Sequence, residues 1–412
     1  MRVGVVGCGV AGQAAATFLS EAGHDVTIYE RFAEPRPLGA GLLLQPTGLA
    51  VLRALGLEEA ALAQAGKVVG LEARTVHGRA VLDLAYADLH PKAHGLGIRR
   101  SVLFDLQHGR LKRSPAKLVT GCEIVDVVRE HGRAVVIDRH LGRHGPFDLA
   151  IVADGAHSGV RRRLMPEAYQ KLYPWGCIWA IAPDSAGLGA AGLLRQRVRG
   201  TRQMIGLLPV GDSQLTIYWS LPLAALAPDQ PLDLEAMRRD ARELWPEAAA
   251  TIAQADGFSR ATYRNVALPR WNDGPVLFMG DAAHGTSPQL GQGANLALLD
   301  AWTLANTLAA GGDLSDFARR RSATVRFYRQ ASHLLTPLFQ SKLVPLGWLR
   351  DAFSGWACRL PVSRHIATTT LAGLRTGWLS SATLDADGRY CLDSAAQRPG
   401  VSPKRAEKCR VR

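Results

Sequence analysis

"RVGVVGCGVAGQAAATFLSEAGHDVTIYE", residues 2–30, begins as a β-branched run and breaks at once into the glycine-rich hexad GCGVAG at 7–12. A small-residue helical stretch follows, then a second strand pattern, DVTIYE, that ends in Glu30. Strand, tight turn, helix and strand in this order predict a dinucleotide-binding βαβ unit. Gly7 permits the turn, Gly9 lets the backbone approach a pyrophosphate, and Gly12 lets helix and strand pack closely. The helix start at Val10 and Ala11 then turns its partial positive charge towards the phosphates. Glu30 stands where a carboxylate takes ribose hydroxyls, which suits NAD or FAD and not a nucleotide with a 2′-phosphate.

Two further strand ends carry an acid beside a glycine. "LAIVADGAHSGVRRRL" (149–164) leads an apolar strand into Asp154-Gly155 and then a basic helix start. "FMGDAAHGTSPQLGQGANLALLDA" (278–301) leads another into Gly280-Asp281, then places Gly285, Pro288, Gly291 and Gly293 ahead of a helical pattern beginning at Asn295. A hydride-transfer dehydrogenase needs only the first cluster, so these two ask for a further reason.

Together with Glu30-Arg31, "GAGLLLQPTGLAVLRALGL" at 39–57 and "IRRSVLFDL" at 98–106, the three motifs give the chain a likeness to a known family. Over most of residues 1–330 it resembles the single-component FAD-dependent aromatic hydroxylases, flavoprotein monooxygenases of the para-hydroxybenzoate hydroxylase type. The resemblance implies an α/β protein: a Rossmann-type FAD-binding domain, an inserted β-sheet substrate domain and a helical C-terminal region. It implies that Glu30 holds the adenosine ribose with Arg31 beside it, that Ile124 lies by the adenine, and that Gly41 borders the cofactor. Arg100 would reach the flavin side of the pyrophosphate or the ribityl chain, and Asp281, after Gly280, would take the ribityl hydroxyls. Pro288 would close over the ring. The backbone amides of Gly291, Gln292, Gly293, Ala294 and Asn295 would point at its pyrimidine end, where negative charge collects on reduction. The same family associates the positions of Asp154, His157 and Arg161 with flavin and NAD(P)H contacts. A plain turn acid or N-cap is the other reading of Asp154, and solvated helix-start residues the other reading of His157 and Arg161. The family helix often carries an acid where Leu299 precedes Asp300.

The implied reaction is NAD(P)H-dependent hydroxylation of an aromatic, phenolic or similarly electron-rich small molecule by O2, through a flavin hydroperoxide. Rivals on the same fold are a flavin-dependent reductase or desaturase and a halogenase, although "WGCIWAIAP" is spaced unlike the halogenase WxWxIP motif. A flavin-binding module without activity would not need all three cofactor motifs. No catalytic residue is assigned: Tyr263, His284, Tyr218 and His94 qualify by chemistry alone, and a structural role suits each.

The expected FAD-binding domain is discontinuous, at 1–68, 97–168 and 264–330, with a substrate-side sheet from 69–96 and 169–263. In that sheet, "KVVGLEARTVHGRAVLDLAY" predicts two strands about His77-Gly78. "RQMIGLLPVGDSQLTIYWSL" predicts a hairpin about 209–212, with Met204, Gly206, Leu208, Leu215, Ile217 and Trp219 on the face towards the ring. Aromatics here leave room for an apolar or aromatic substrate. Residues 331–380 predict amphipathic helices that pack on the core or form a dimer seam, a membrane surface being the alternative. The basic tail 381–412 is expected to be disordered.

The 412 residues are 47% hydrophobic and 21% charged, a globular composition with more than one substructure. The net charge of +13 comes with no nucleic-acid recognition motif, so nucleic acid is not an expected partner. Six scattered cysteines without a CxxC pair suit reduced thiols in the cytoplasm, with no metal site. The glycines of the opening run argue against a signal peptide, and no stretch has the length of a membrane span. A monomer or a homodimer is expected.

Overall fold

A valine-rich strand buried on both faces belongs in the middle of a parallel sheet. In the computed structural model, which describes residues 1–36 and 41–392, Arg2–Val6 takes that place, paired parallel to Asp25–Tyr29 on one side and Leu149–Val152 on the other. Lys117–Val119 extends the sheet beyond Asp25–Tyr29; Val276–Phe278 extends it beyond Leu149–Val152, with Asn272–Asp273 at the edge. Helix Val10–Glu21 links the first two strands. Since Arg2–Val6, Leu149–Val152 and Val276–Phe278 are adjacent and parallel, their C-terminal ends share one edge. GCGVAG, Asp154-Gly155 and Gly280-Asp281 therefore meet there, where open α/β sheets bind ligands. A small antiparallel sheet (Ile124–Glu130, Arg133–Asp138, Arg143–Phe147) packs Val127, Val136 and Phe147 with Tyr29 and Val152.

The second large sheet has seven strands in the order Asp256–Ala267, Tyr169–Pro183, Gln214–Pro222, Gln203–Pro209, Leu193–Arg199, Gly70–Thr75, Ala80–Ala85. The expected strands about His77-Gly78 are there, and so is the hairpin, but its facing differs from expectation. Gly206 pairs with Tyr218 and Leu208 with Thr216, while Leu207 pairs with Ile217 and Ile205 with Trp219. Directly opposed residues share a face, so Met204, Gly206 and Leu208 lie with Thr216 and Tyr218, on the side of the first sheet. Leu215, Ile217 and Trp219 lie with Ile205 and Leu207 on the other side, under Met237, Leu244 and Ile252. The turn length, which the alternation of residues does not reveal, decides the match.

Gly95–Arg99 runs through residue 97, Asp256–Ala267 through 264 and Leu314–Phe339 through 330, so three of the expected boundaries fall inside elements. Val344–Ala357 and Pro361–Leu371 follow. Residues 381–392 depart from the expected disorder. Ser381 bridges to Arg375, Leu384 to Tyr390, and Tyr390 is buried in the main core. The Asp385 carboxylate accepts the amides of Asp387 and Arg389, closing the turn. The rest of the expected tail, and Gly39 and Ala40 of the 39–57 motif, lie outside the described residues. Among the described residues, no helix is long and apolar enough to cross a membrane.

Candidate cofactor and active site

The first wall of the site is the turn after Arg2–Val6. A side chain at Gly12 would put its Cβ 1.9 Å from the Gly7 carbonyl oxygen, so helix and turn touch there. A Cβ at Gly9 would meet nothing within 4 Å. The protein's own packing does not require that glycine; a ligand lying on the backbone does. The Glu30 carboxylate is held by the amides of Cys8 (2.9 Å) and Phe32 (3.0 Å), which aim it across the turn with lone pairs to spare. Arg31 is exposed and stacks over Phe32, and Ile124 is buried two residues past Cys122, whose amide donates to the Glu30 carbonyl.

The second wall is the Asp154 loop. Burial pushes the Asp154 carboxyl above its ordinary value, against the Ser158 hydroxyl and the Arg161 and Arg31 charges that favour ionisation. Its Oδ1 is buried with no partner among the described residues. Such an atom awaits a donor. Arg161 is wholly buried, contrary to the solvated helix-start reading. Its guanidinium donates to the carbonyls of Ala282 (2.7 Å) and Ala156 (2.6 Å), and so staples the Asp154 loop to the Asp281 loop. His157 is exposed; burial in part, and then Arg264, Arg161, Arg162 and Arg31, lower its pKa.

The third wall is the stretch from Gly280 to Asn295. Asp281 is exposed into the cleft, with one carboxylate oxygen 3.7 Å from where a Cβ on Gly293 would stand. Pro288–Leu290 forms a single tight turn that ends in Gly291 in the left-handed region, and helix Gly293–Ala309 starts at once. The amide of Leu296 is the first to bond back, to the Gln292 carbonyl; among the described residues the amides of Gln292, Gly293, Ala294 and Asn295 have no partner. Together with the helix dipole they offer a positive edge to a group that gains negative charge. The side chains at the same positions are fasteners. Asn295 accepts from the Gln45 amide (2.8 Å) and donates to the carbonyls of Leu43 and Gly291, while Gln292 donates to Leu371 (2.8 Å). Gly41, at the start of the same Leu43 strand, lies under the Thr216 side chain.

Below that helix, Asp300 is fully buried between His284 (2.6 Å) and Arg321 (2.8 Å), and it also accepts the Gly280 amide (3.0 Å). Burial would raise the Asp300 carboxyl, but His284 and Arg321 outweigh it and hold it below the ordinary range. His284 is thereby occupied as a support for the Gly280 turn.

Arg100 joins the two halves of the site. It is exposed to the cleft, yet protein surrounds it closely enough for burial to lower its pKa, against the pull of the Asp281 carboxylate on one side, with Cys177 on the other. From Cys177 a buried polar chain crosses the inner face of the second sheet. Tyr263 borders Cys177, the Tyr263 and Tyr218 hydroxyls lie 3.0 Å apart, and Gln340 Nε2 donates to Tyr218 (2.7 Å). Trp179 meets Tyr218 edge-on. Burial drives both tyrosines well above their ordinary pKa and the Cys177 thiol to about 12, so all three stay protonated at neutral pH. His94 lies apart from this chain: its Nδ1 contacts the backbone carbonyl of Lys92.

The open cradle at Gly9, the orphaned Asp154 oxygen and the four free amides fit a dinucleotide whose second half is a ring that accepts charge. The family model described as "FAD binding domain" matches residues 1–313. The chain belongs to the FAD-dependent aromatic hydroxylase family. Among similar proteins, 3-amino-4-hydroxybenzoate 2-monooxygenase of Streptomyces cremeus is 30% identical over 356 residues, 80% of this chain and 84% of the relative. A 2-heptyl-3-hydroxy-4(1H)-quinolone synthase of Pseudomonas aeruginosa is 28% identical over 362 residues, 85% of this chain and 93% of the relative. The structure of Klebsiella pneumoniae HpxO with FAD and uric acid superposes with a TM-score of 0.76 at 20% identity, covering 92% of this chain and 98% of that one. At that identity it speaks for the fold. This hydroxylase-family chain is thus an FAD-dependent oxidoreductase of the monooxygenase type.

Asp300, Arg321 and Gln340 escaped the sequence reading. A lone acid inside the apolar run LALLDAWTL was the available signal for Asp300, because a carboxylate is rarely buried unpaired. Nothing local marked Arg321 as its partner, or Gln340 as the donor to Tyr218.

Proposed function

We propose that the protein hydroxylates an electron-rich aromatic small molecule, using O2 and electrons from NAD(P)H. The observation that carries this reading is the buried polar chain Cys177–Tyr263–Tyr218–Gln340, on the face of the second sheet that lies towards the first. FAD bound in the cleft would pass electrons from the nicotinamide to O2, one oxygen atom of which would go to the substrate and the other to water.

The residues that would hold FAD are Gly7, Gly9, Val10, Ala11, Gly12, Glu30, Arg31, Gly41, Ile124 and Asp154 towards the adenosine and pyrophosphate. Arg100, Gly280, Asp281, Pro288 and 291–295 would hold the flavin half. The amides of 292–295 suit the charge that the ring acquires on reduction. In the Tyr218–Tyr263 pair, kept protonated by burial, one hydroxyl proton closes the pair and the other is left to donate to a substrate oxygen, and Trp179 and Met204 give its ring an apolar wall. The two sheets support the discontinuous division into an FAD-binding domain and a substrate sheet, with its later boundary moved to the end of Asp256–Ala267. A cytoplasmic location suits the free thiols of the described cysteines.

The test is NAD(P)H oxidation by the FAD-loaded enzyme against a panel of phenols and nitrogen heteroaromatics. A true substrate should accelerate oxidation several-fold and lower the share of O2 released as hydrogen peroxide. Oxidation that proceeds equally without O2 would replace this reading with the reductase one.

A further inference from the structure

Helix Val344–Ala357 is seated inside out. Its inner face is small and polar: a Cβ at Gly347 would stand 3.3 Å from the Gly200 backbone, and Gly355 lies against the Ala80 carbonyl. Between them Arg350 is buried, donating to the carbonyls of Gly200 (2.9 Å) and Leu338 (2.8 Å) and pairing with Asp351 (2.6 Å). Its outer face carries Trp348, Leu349, Phe353 and Trp356, with Trp348 70% and Trp356 62% exposed, and no charge at all. The next helix, Pro361–Leu371, continues the patch with Val362 and Ile366. A helix that packs for stability alone turns these faces the other way. The glycine contacts fix its roll, so the patch cannot turn inward.

The charges around the patch select its partner. From 342 to 371 the cations are Lys342, Arg350, Arg359 and Arg364, joined by His365, against one acid, Asp351. Arg350 is committed to Asp351 and Arg364 to Asp88, which leaves Lys342 and Arg359 without an ion pair among the described residues, one beyond each end of the helix. The sequence after 392 adds Arg398, Lys404, Arg405, Lys408, Arg410 and Arg412 against Asp393 and Glu407, in a chain already at +13. A second copy seated here by a two-fold axis would bring like charges together. An anionic lipid surface opposes them with phosphates, and tryptophan and leucine on a helix lying in the interface plane are what such a surface takes up. We infer that Val344–Ala357 and the start of Pro361–Leu371 dock the enzyme on an anionic bilayer surface, without crossing it.

The test uses the full-length, FAD-loaded protein and vesicles of phosphatidylcholine, alone or doped with phosphatidylglycerol. Wild-type protein should co-sediment with the doped vesicles, weakly with the neutral ones, and be released by salt. The double variant Trp348→Ser/Trp356→Ser, checked for unchanged FAD content, should lose roughly tenfold or more of that partition. If that variant loses FAD, quenching of the wild-type tryptophan emission by brominated phosphatidylglycerol decides instead, and should be strong. Absence of both partition and quenching overturns the inference, and so does equal partition of a well-folded double variant. A wild-type dimer that the double variant converts to monomer also overturns it, assigning the patch to a second copy.

Discussion

Gly9 and Gly12, three positions apart on either side of Val10 and Ala11, do opposite jobs, and substitution separates them. Gly12 touches the Gly7 carbonyl, so Gly12→Ala overpacks the turn and should destabilise the whole protein by about 1–3 kcal/mol. Gly9 faces open space, so Gly9→Val should leave the melting temperature of the flavin-free protein nearly unchanged while weakening FAD binding roughly tenfold or more. Thermal melts of stripped protein beside flavin titrations distinguish the two; equal FAD affinity in Gly9→Val would remove the cradle. Asp300 supplies a pH-dependent case. Its carboxyl is held below the ordinary value, so the stability it contributes is present above the unfolded pKa of about 4 and is lost as pH falls through the lower folded value. Asp300→Asn should therefore cost roughly 3 kcal/mol at neutral pH, and its deficit against wild type should shrink in acid. A deficit that stays constant down to the acid limit would mean that packing, and not charge, is what Asp300 supplies.

At the scale of elements, the parallel strands were legible and the contacts between loops were not. Apolar runs ending in GxGxxG, DG and GD reveal three strands whose ends must coincide, because parallel pairing aligns them. The fastening of those ends depends on side chains distant in sequence. Arg161 reads as the first residue of a basic triplet, and only the fold shows that Ala156 and Ala282 present carbonyls to it. Arg161→Gln should cost roughly 2–3 kcal/mol and loosen both loops, so that FAD release quickens as stability falls. Release kinetics of the flavin fluorescence measure this; unchanged kinetics would leave Arg161 a support for its own loop alone. The hairpin shows the same limit from another side. Alternation marked its two residue sets, but which set faces which sheet depends on the register that the turn imposes.

Over the whole molecule, composition and net charge pointed to a polar tail from 381, yet Tyr390 is buried and Asp385 closes a local turn on the amides of Asp387 and Arg389. The cue was present in the sequence as DADG, a turn signal ahead of an aromatic, overshadowed by the basic residues beyond it. Removal of 393–412 should accordingly leave FAD content and melting temperature nearly unchanged, whereas removal from 381 should lower both, as two truncations assayed in parallel will show. The central claim is that the cofactor edge and the substrate sheet together perform monooxygenation. Its most direct test supplies isotopically labelled O2 to the FAD-loaded enzyme with NAD(P)H and the aromatic compound that most accelerates turnover, and reads the product by mass spectrometry. The account predicts a labelled oxygen on the ring, in proportion to the NAD(P)H consumed. A product that is reduced, desaturated or hydroxylated without the label would contradict it.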